Sequence, residues 1–378
     1  MKINPFGVQT LLVKARYILR LPYAALRIIF FEGWPAFQKK FENWLHLVAS
    51  GQLGYEINKR NMASAPRRRV NLFAEEVNFL PEIERMLEDR SRLLKLDDND
   101  PLDVIVPVYN AYDDFLICLY SLVKHRDVYR IVLIDDCSTD PRVHDLLTAL
   151  KNYEQEGIWV EFNAQNLGFL GTVNKGMQMT RHDVILLNTD TVVTHGWARK
   201  LKGCAQSNER IATVTPFTNN GRMCSVPNFL QDNDLPEGFT VDLFAACVEK
   251  SSSNRYPELA TAVGFCVYIR RSAINDIGYF DAENFGKGYG EEVDFSFRAI
   301  DKGYKNVLCD NTFVYHKGSA SFLDNQHALM EKNHIFLSEK YPENWAAIAR
   351  FERINPLKEL QDKITREMKL KRFNARKD

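Results

Sequence analysis

The sequence predicts an α/β protein built on a mainly parallel sheet flanked by helices, with helical extensions at both ends. Two observations carry that expectation. From Pro101 onward, apolar runs alternate with helix-patterned segments at a spacing of roughly 20–30 residues, the signature of βαβ units. The composition is ordinary globular, with 378 residues, 45% hydrophobic and 26% charged. That is enough apolar material for a sizeable core, and it excludes wholesale disorder.

The elements follow in order. LDVIVPVYN (102–110) is an apolar run ending in Pro and Asn and reads as a strand. DDFLICLYSLVKH (113–125) has helical spacing. YRIVLIDDCS (129–138) is a second buried strand with acids at its carboxyl end, followed by a helix in PRVHDLLTALKNY (141–153). GIWVEFN (157–163), GFLGTVNKGMQM (168–179) and DVILLNTD (183–190) continue the alternation as strand, helix and strand. Further on, VGFCVYI (263–269) and KNVLCDNTFVY (305–315) read as strands, and a helix starts near Glu291. In open sheets of this kind ligands sit beyond the carboxyl ends of the strands. The polar residues cluster there: Tyr109-Asn110, Asp135-Asp136, Asn163 to Asn166 and Asn188-Thr189-Asp190.

The flanks differ from this centre. Lys+Arg and Asp+Glu are both 49, so the net charge is zero and a whole-chain nucleic-acid binder is excluded. Charge is nonetheless uneven. The first 31 residues hold Lys2, Lys14, Arg16, Arg20 and Arg27 with no acid, and the last sixteen carry seven basic and two acidic residues. At 100° per residue, Arg16, Arg20 and Arg27 fall within about 40° of one another, with Pro22 between them. The charges interrupt the apolar run before the ~20 residues a spanning helix needs. Two readings stand: a basic amphipathic segment on an anionic membrane face, or a helical extension packed on the core. Trp34, Phe37, Phe41 and Trp44 favour the first. Residues 60–100 read as a connector, loop-like in RNMASAPRRR and helical in PEIERMLEDRSRLLKL (81–96), with DDNDP as a boundary. The division expected is 1–100 as extension and connector, 101–322 as the α/β domain and 323–378 as a helical basic segment. The seven cysteines never come closer than 19 residues. No CxxC pair exists, and incidental thiols in a reducing, cytoplasmic setting are expected.

Four features carry chemistry. Asp136 beyond a buried strand can accept hydrogen bonds from a base or ribose, or it can cap the CSTDP turn. Neither GxGxxG nor GxxxxGK[ST] occurs, so a nucleotide must be held mainly by side chains and a metal. In LLNTDTVV, Asn188 and Asp190 set two oxygen-bearing side chains at a strand end, suited to a hard divalent cation once a diphosphate completes the shell. In GKGYGEEVDF, adjacent Glu291 and Glu292 at a glycine-rich helix start either serve the helix dipole or supply a general base, one carboxylate raising its neighbour's pKa. Asp294 and Arg298 stand four apart and can pair. His316 is either structural or a metal ligand.

These features occur in the order of a known family. VIVPVYN (104–110), LIDDCSTD (133–140), NAQNLGFLGTVNKGM (163–177), LLNTDTVV (186–193), GFCVYIRRSAINDIGYFD (264–281), GYGEEVDFSFRA (288–299) and HKGSASF (316–322) make residues 103–322 resemble glycosyltransferase family 2, enzymes of the GT-A fold. The likeness is to the bacterial members that build O-antigen, capsule and rhamnose-containing polysaccharides. It implies inverting transfer from a nucleotide-diphosphate sugar (dTDP- or UDP-linked, dTDP-rhamnose among the candidates) to a glycan or lipid-linked acceptor; the basic ends of the chain point to the inner face of the cytoplasmic membrane as its place. By resemblance, Pro107, Tyr109, Asn110 and Asp136 hold base and ribose, and Asn166, Asn174 and Asn188 lie near the donor. Asp190 and His316 bind Mg²⁺ or Mn²⁺, Glu292 is the catalytic base, and Glu291 contacts the acceptor. Two departures stand out: Asn188 replaces the first acid of the DxD motif, and Glu replaces the commoner Asp at the base. Asn188 keeps a second class in view, a non-catalytic glycan-binding or scaffold subunit. A nucleotidyltransferase is disfavoured because VPVYNAYDDF lacks a glycine-rich basic loop.

Overall fold

The computed structural model describes residues 72–89, 101–127, 129–286, 288–318 and 324–374. Contacts divide the chain into residues 1–60 and 61–378, and every described residue belongs to the second unit. The basic segment at the start and most of the connector therefore lie outside the described residues, as do residues 319–323 and the last four.

The first described helix, α1 (Phe79–Glu88), buries Ile83, Met86 and Leu87, an i, i+3, i+4 stripe facing the core. It ends at Glu88, with Asp89 extended; the rest of the helical stretch expected to 96 lies outside the described residues. The expected alternation then follows: β1 (Leu102–Val108), α2 (Tyr112–Lys124), β2 (Arg130–Asp135), α3 (Pro141–Leu150), β3 (Ile158–Phe162), α4 (Gly168–Met179) and β4 (Asp183–Leu187). Asp140 caps α3 by accepting from Arg142 N, with Pro141 at the first helical position.

Strand β1 pairs in parallel with β2 and β4, and β2 in parallel with β3. The period of two divides β1 between the faces. Val104, Val106 and Val108 join Phe115 and Leu119 of α2 in one core, while Ile105 joins Ile134, Val173 and Met177 in another. Helix α4 comes very close to the sheet at Gly176, where a Cβ would stand 2.6 Å from Ile105 Cγ2.

The chain continues through β5 (Thr191–Val192), α5 (Trp197–Gln206), β6 (Ile211–Phe217), α6 (Val241–Ser251), β7 (Glu258–Leu259), β8 (Cys266–Ile269), α7 (Arg271–Ile277), α8 (Ala282–Phe285), α9 (Glu291–Asp301), β9 (Lys305–Phe313) and β10 (Tyr315–His316). Eight strands form one sheet in the order β3-β2-β1-β4-β8-β6-β9-β7, and β5 and β10 form a separate ribbon. The sheet is mixed: β8 runs antiparallel to β4 and β6, and β7 antiparallel to β9. An apolar run such as VGFCVYI specifies burial on both faces, not direction, so this inversion was not readable in the sequence. The expected class stands, a large central sheet flanked by helices. All seven cysteines are free.

Three helices close the described chain: α10 (Asp324–Lys340), α11 (Pro342–Ile354) and α12 (Lys358–Asn374). They pack on the same body. Leu337 shares a core with Phe285 and Phe295, and Leu357 and Ile364 join the larger core. Asp294, fully buried, fastens α10 by an ion pair to Lys340 at 2.9 Å and a hydrogen bond from the Tyr341 hydroxyl at 2.8 Å. It also pairs with Arg298 at 2.7 Å, as the spacing predicted. Among the described residues no helix is long and apolar enough to cross a membrane.

Candidate active site at the carboxyl ends of the strands

The first loop cluster joins β1 to β2. Pro107 lies within β1, opposite Ile134, and the Tyr109 ring just beyond the strand is 52% exposed. Asn110 has a left-handed backbone, φ +53°, a conformation Asn tolerates better than most residues. Its Oδ1 accepts from Thr139 N at 2.7 Å and Asp140 N at 3.0 Å, and its own N–H donates to Ser138 Oγ at 2.9 Å. Asn110 thus clips the two loops together. Asp136 is buried, and its Oδ1 accepts from Asn163 Nδ2 at 2.9 Å and Leu167 N at 2.7 Å. Asn166 Nδ2 donates to the Asp136 carbonyl at 3.0 Å, which locks the 163–168 loop onto the end of β2.

Asn174 stands apart from that cluster. Its amide makes both hydrogen bonds of a strand-like pair with the Phe280 backbone, at 2.8 and 3.1 Å. It ties α4 to the segment preceding α8, and both ends of its amide are engaged with protein.

The second cluster lies beyond β4. Asn188 N donates to the Phe265 carbonyl at 2.9 Å, and the Asn188 carbonyl accepts from Thr191 Oγ1 at 2.7 Å. The chain then turns into β5, which pairs with β10, His316 standing opposite Thr191. This ribbon brings His316 Nε2 to 3.3 Å from Asp190 Oδ2. The other ring nitrogen, Nδ1, is 2.6 Å from the Asn220 carbonyl oxygen. A carbonyl can only accept, so Nδ1 carries the hydrogen, and Nε2 faces the Asp190 carboxylate, to which it donates when the ring is protonated. Phe265 stacks on the imidazole at 5.1 Å and 20°.

The electrostatics follow. Burial works to raise the Asp190 pKa, but the hydrogen bond and charge of His316 outweigh it and hold the carboxyl below its usual range. Burial works to lower His316, but Asp190, the Asn220 carbonyl and the Asp232 charge outweigh it, and the net shift is upward.

The third cluster is the start of α9. Gly288, Tyr289 and Gly290 all have positive φ. Asn333 of α10 holds that loop by donating to the Gly288 and Tyr289 carbonyls at 3.0 and 2.9 Å. A Cβ on Gly290 would stand 2.9 Å from Leu337 Cδ1, so glycine here meets both the backbone angle and the close packing. Glu291 is buried, and its Oε2 has no hydrogen-bond partner among the described residues. Burial, with the charge of Glu292, pushes its pKa up to about 8. Burial raises Glu292 as well. The Glu292 carboxyl lies over Gly264, where a Cβ would be 3.7 Å from Glu292 Cδ.

Gly264 and Phe265 connect the second and third clusters. One residue lies under Glu292, and the next bonds Asn188 and stacks on His316. A carboxyl pair of raised pKa, Glu291 buried and Glu292 half-buried, therefore neighbours an Asp–His pair at the carboxyl end of the central strand. Carboxyl groups of raised pKa at a strand end are suited to proton abstraction, and a carboxylate–imidazole pair to holding a divalent cation. Among the described residues no three His, Cys, Asp or Glu side chains converge to hold a metal alone.

Residues 103–278 match the family model described as Glycosyl transferase family 2. The matched segment runs from β1 through α7, somewhat under half of the chain. No curated protein matches the sequence. Among solved structures the chain is similar to the crystal structure of GalNAc-T7 with UDP, GalNAc and Mn²⁺, with 17% identity, a TM-score of 0.46, and 71% of this chain and 55% of that chain covered. It is also similar to the mannosyltransferase PcManGT from Pyrobaculum calidifontis in complex with GDP-Man and Mn²⁺, with 11% identity, a TM-score of 0.48, and 76% and 80% coverage. The chain spans about half the length of the first of these.

Several residues here were not singled out from the sequence. Asn219 and Asn220 follow β6 and meet His316. The signal was present, since TNNG at a strand's carboxyl end is the same polar clustering that marked NTD. Phe265 and Asn333 left no such signal, because a ring stacked on imidazole and an amide reaching from another helix depend on tertiary packing.

Proposed function

We propose that this protein is an inverting glycosyltransferase, moving a sugar from a nucleotide-diphosphate donor to a hydroxyl of a glycan or lipid-linked acceptor. The observation that carries the reading is the junction at Gly264 and Phe265, which sets Glu292 beside the Asp190–His316 pair. The family 2 match over residues 103–278 supports it.

The residues present suit a divalent cation, Mg²⁺ or Mn²⁺. Asp190 offers a carboxylate oxygen, and the Asn220 carbonyl fixes the tautomer that leaves His316 Nε2 available. Two protein ligands leave room for phosphate oxygens and water. When bound, the metal would neutralise the diphosphate leaving group. With Asn188 in place of the first DxD acid, the protein contributes one carboxylate here.

The chain's own residues do the rest. Tyr109 presents a ring for the base, and the loops fixed by Asn110, Asp136 and Asn166 shape the ribose side; Pro107 sets the end of β1. Asn174 acts through the segment it holds. Glu292, ionised, takes the proton of the acceptor hydroxyl. That oxygen forms its bond to the anomeric carbon on the face opposite the diphosphate, whose C–O bond breaks with the electron pair leaving on oxygen. Glu291 keeps its proton at neutral pH and donates a hydrogen bond toward the acceptor.

A dTDP- or UDP-sugar, dTDP-rhamnose included, and a role in O-antigen- or capsule-type synthesis rest on the motif resemblance alone. A peripheral seat on the inner membrane face rests instead on the basic, aromatic-rich residues 1–45. Deleting 1–45 should release the protein from anionic liposomes; continued pelleting refutes that seat. A screen of UDP-, dTDP- and GDP-sugars with and without Mn²⁺ tests the function. Metal-dependent release of nucleoside diphosphate from one donor is expected. No release together with no nucleotide binding by calorimetry would favour the scaffold reading that Asn188 keeps open.

A further inference from the structure

His316 is held by more than its own strand. Asn219, buried, donates through Nδ2 to the His316 carbonyl at 2.9 Å and accepts at Oδ1 from the His316 N–H at 2.8 Å. The next residue, Asn220, supplies the carbonyl 2.6 Å from Nδ1. Two consecutive residues therefore fix both the backbone and the tautomer of this imidazole.

Their turn is closed tightly. Thr218 and Ser225 form a bridge, and Gly221 N donates to Ser225 Oγ at 2.9 Å. A Cβ on Gly221 would stand 2.4 Å from Thr218 Cγ2 and 2.7 Å from Cys224 Sγ. Arg222 sits in the turn with φ +50°, a conformation that persists only where the surroundings over-determine it.

Those surroundings come from the C-terminal helices. Arg222 Nε donates to Glu352 Oε1 of α11 at 2.6 Å, and the Glu352 side chain is 2% exposed. Gln361 of α12, also buried, donates through Nε2 to the Ser225 carbonyl at 3.1 Å. Its Oε1 accepts from Asn355, just past the end of α11, at 2.9 Å. Burying a carboxylate is costly unless it is paired, and here Arg222, in the turn behind His316, pairs with it. Both residues lie beyond the family-matched segment, which ends at 278.

We infer that α11 and α12 belong to the metal side of the site, with Glu352 and Gln361 as positioning residues that hold the 218–225 turn and so set His316 through Asn219 and Asn220. The inference rests on the reading of His316 as a metal ligand. Groups that orient a ligand typically change metal affinity by about 10–100-fold when removed.

The test is Mn²⁺ binding to the purified full chain, followed by the loss of the free-ion signal in electron paramagnetic resonance. It compares wild type, His316→Ala, Glu352→Gln, Gln361→Ala and the Glu352→Gln/Gln361→Ala double variant. The expected result is weaker Mn²⁺ binding in His316→Ala and about tenfold weaker binding in the double variant. Turnover of the double variant should recover at raised Mn²⁺, a split between metal requirement and kcat that a general loss of fold would not give. If His316→Ala weakens binding and the double variant matches wild type, the positioning role is overturned and the site reading stands. If His316→Ala itself binds Mn²⁺ like wild type, both fall. Should the double variant fail to fold, Gln361→Ala alone, which removes only neutral hydrogen bonds, carries the same comparison.

Discussion

His316 Nε2 lies 3.3 Å from the Asp190 carboxylate, although 126 residues separate them in sequence (316 − 190). The β5–β10 ribbon makes the meeting possible, since its register sets His316 opposite Thr191, the residue after Asp190. Asp190→Asn and His316→Ala should each lower metal-stimulated turnover by about a hundredfold or more, the scale for removing a group that stabilises developing charge. Nucleotide release at saturating donor, with and without Mn²⁺, measures this. Wild-type metal stimulation in both variants would remove the pair from the site.

Glu291 gives a pH-dependent stability. Its pKa is pushed up to about 8 from an ordinary value of 4.5 by burial and by Glu292. Between those pH values the folded state holds a proton that the unfolded state has released, so this group's contribution to stability falls as pH rises. Glu291→Gln should melt progressively higher than wild type from about pH 5 to 8, with the gap levelling above 8 at an order of a few kcal/mol. Thermal melts across that range check it; parallel curves would contradict the shift.

Asp294 holds α9 to α10 rather than joining the chemistry. It is fully buried, with Arg298, Lys340 and the Tyr341 hydroxyl around its carboxylate. Asp294→Asn should cost about 3 kcal/mol, toward the low end for breaking a buried pair because both cations are partly solvated. Denaturant unfolding measures it. An unchanged midpoint would mean that α10 is held by apolar packing alone.

The alternation from β1 to β4 was legible because buried strands and amphipathic helices have different periods, and the polar strand ends marked the candidate site. Asp190, His316, Glu291 and Glu292 could be singled out because carboxylates and imidazole bring their chemistry with them. The asparagines were harder. Asn110, Asn166 and Asn174 drew notice in the sequence, and the structure shows their amides bridging loops and helices. An amide bonds backbone and ligand equally well, and only its surroundings decide between them. The inverted strand β8 and the brace from Glu352 were not legible, since neither strand direction nor a partner 130 residues away leaves a local pattern.

A single comparison tests the central claim most directly. Wild type and Glu292→Gln are given the donor identified by screening, with acceptor, and both donor binding and sugar transfer are measured. Gln keeps the shape of the side chain over Gly264 but cannot take a proton. The account predicts donor affinity close to wild type and transfer reduced by about 10²–10⁴-fold. Transfer at the wild-type rate in Glu292→Gln would contradict it and place the base elsewhere.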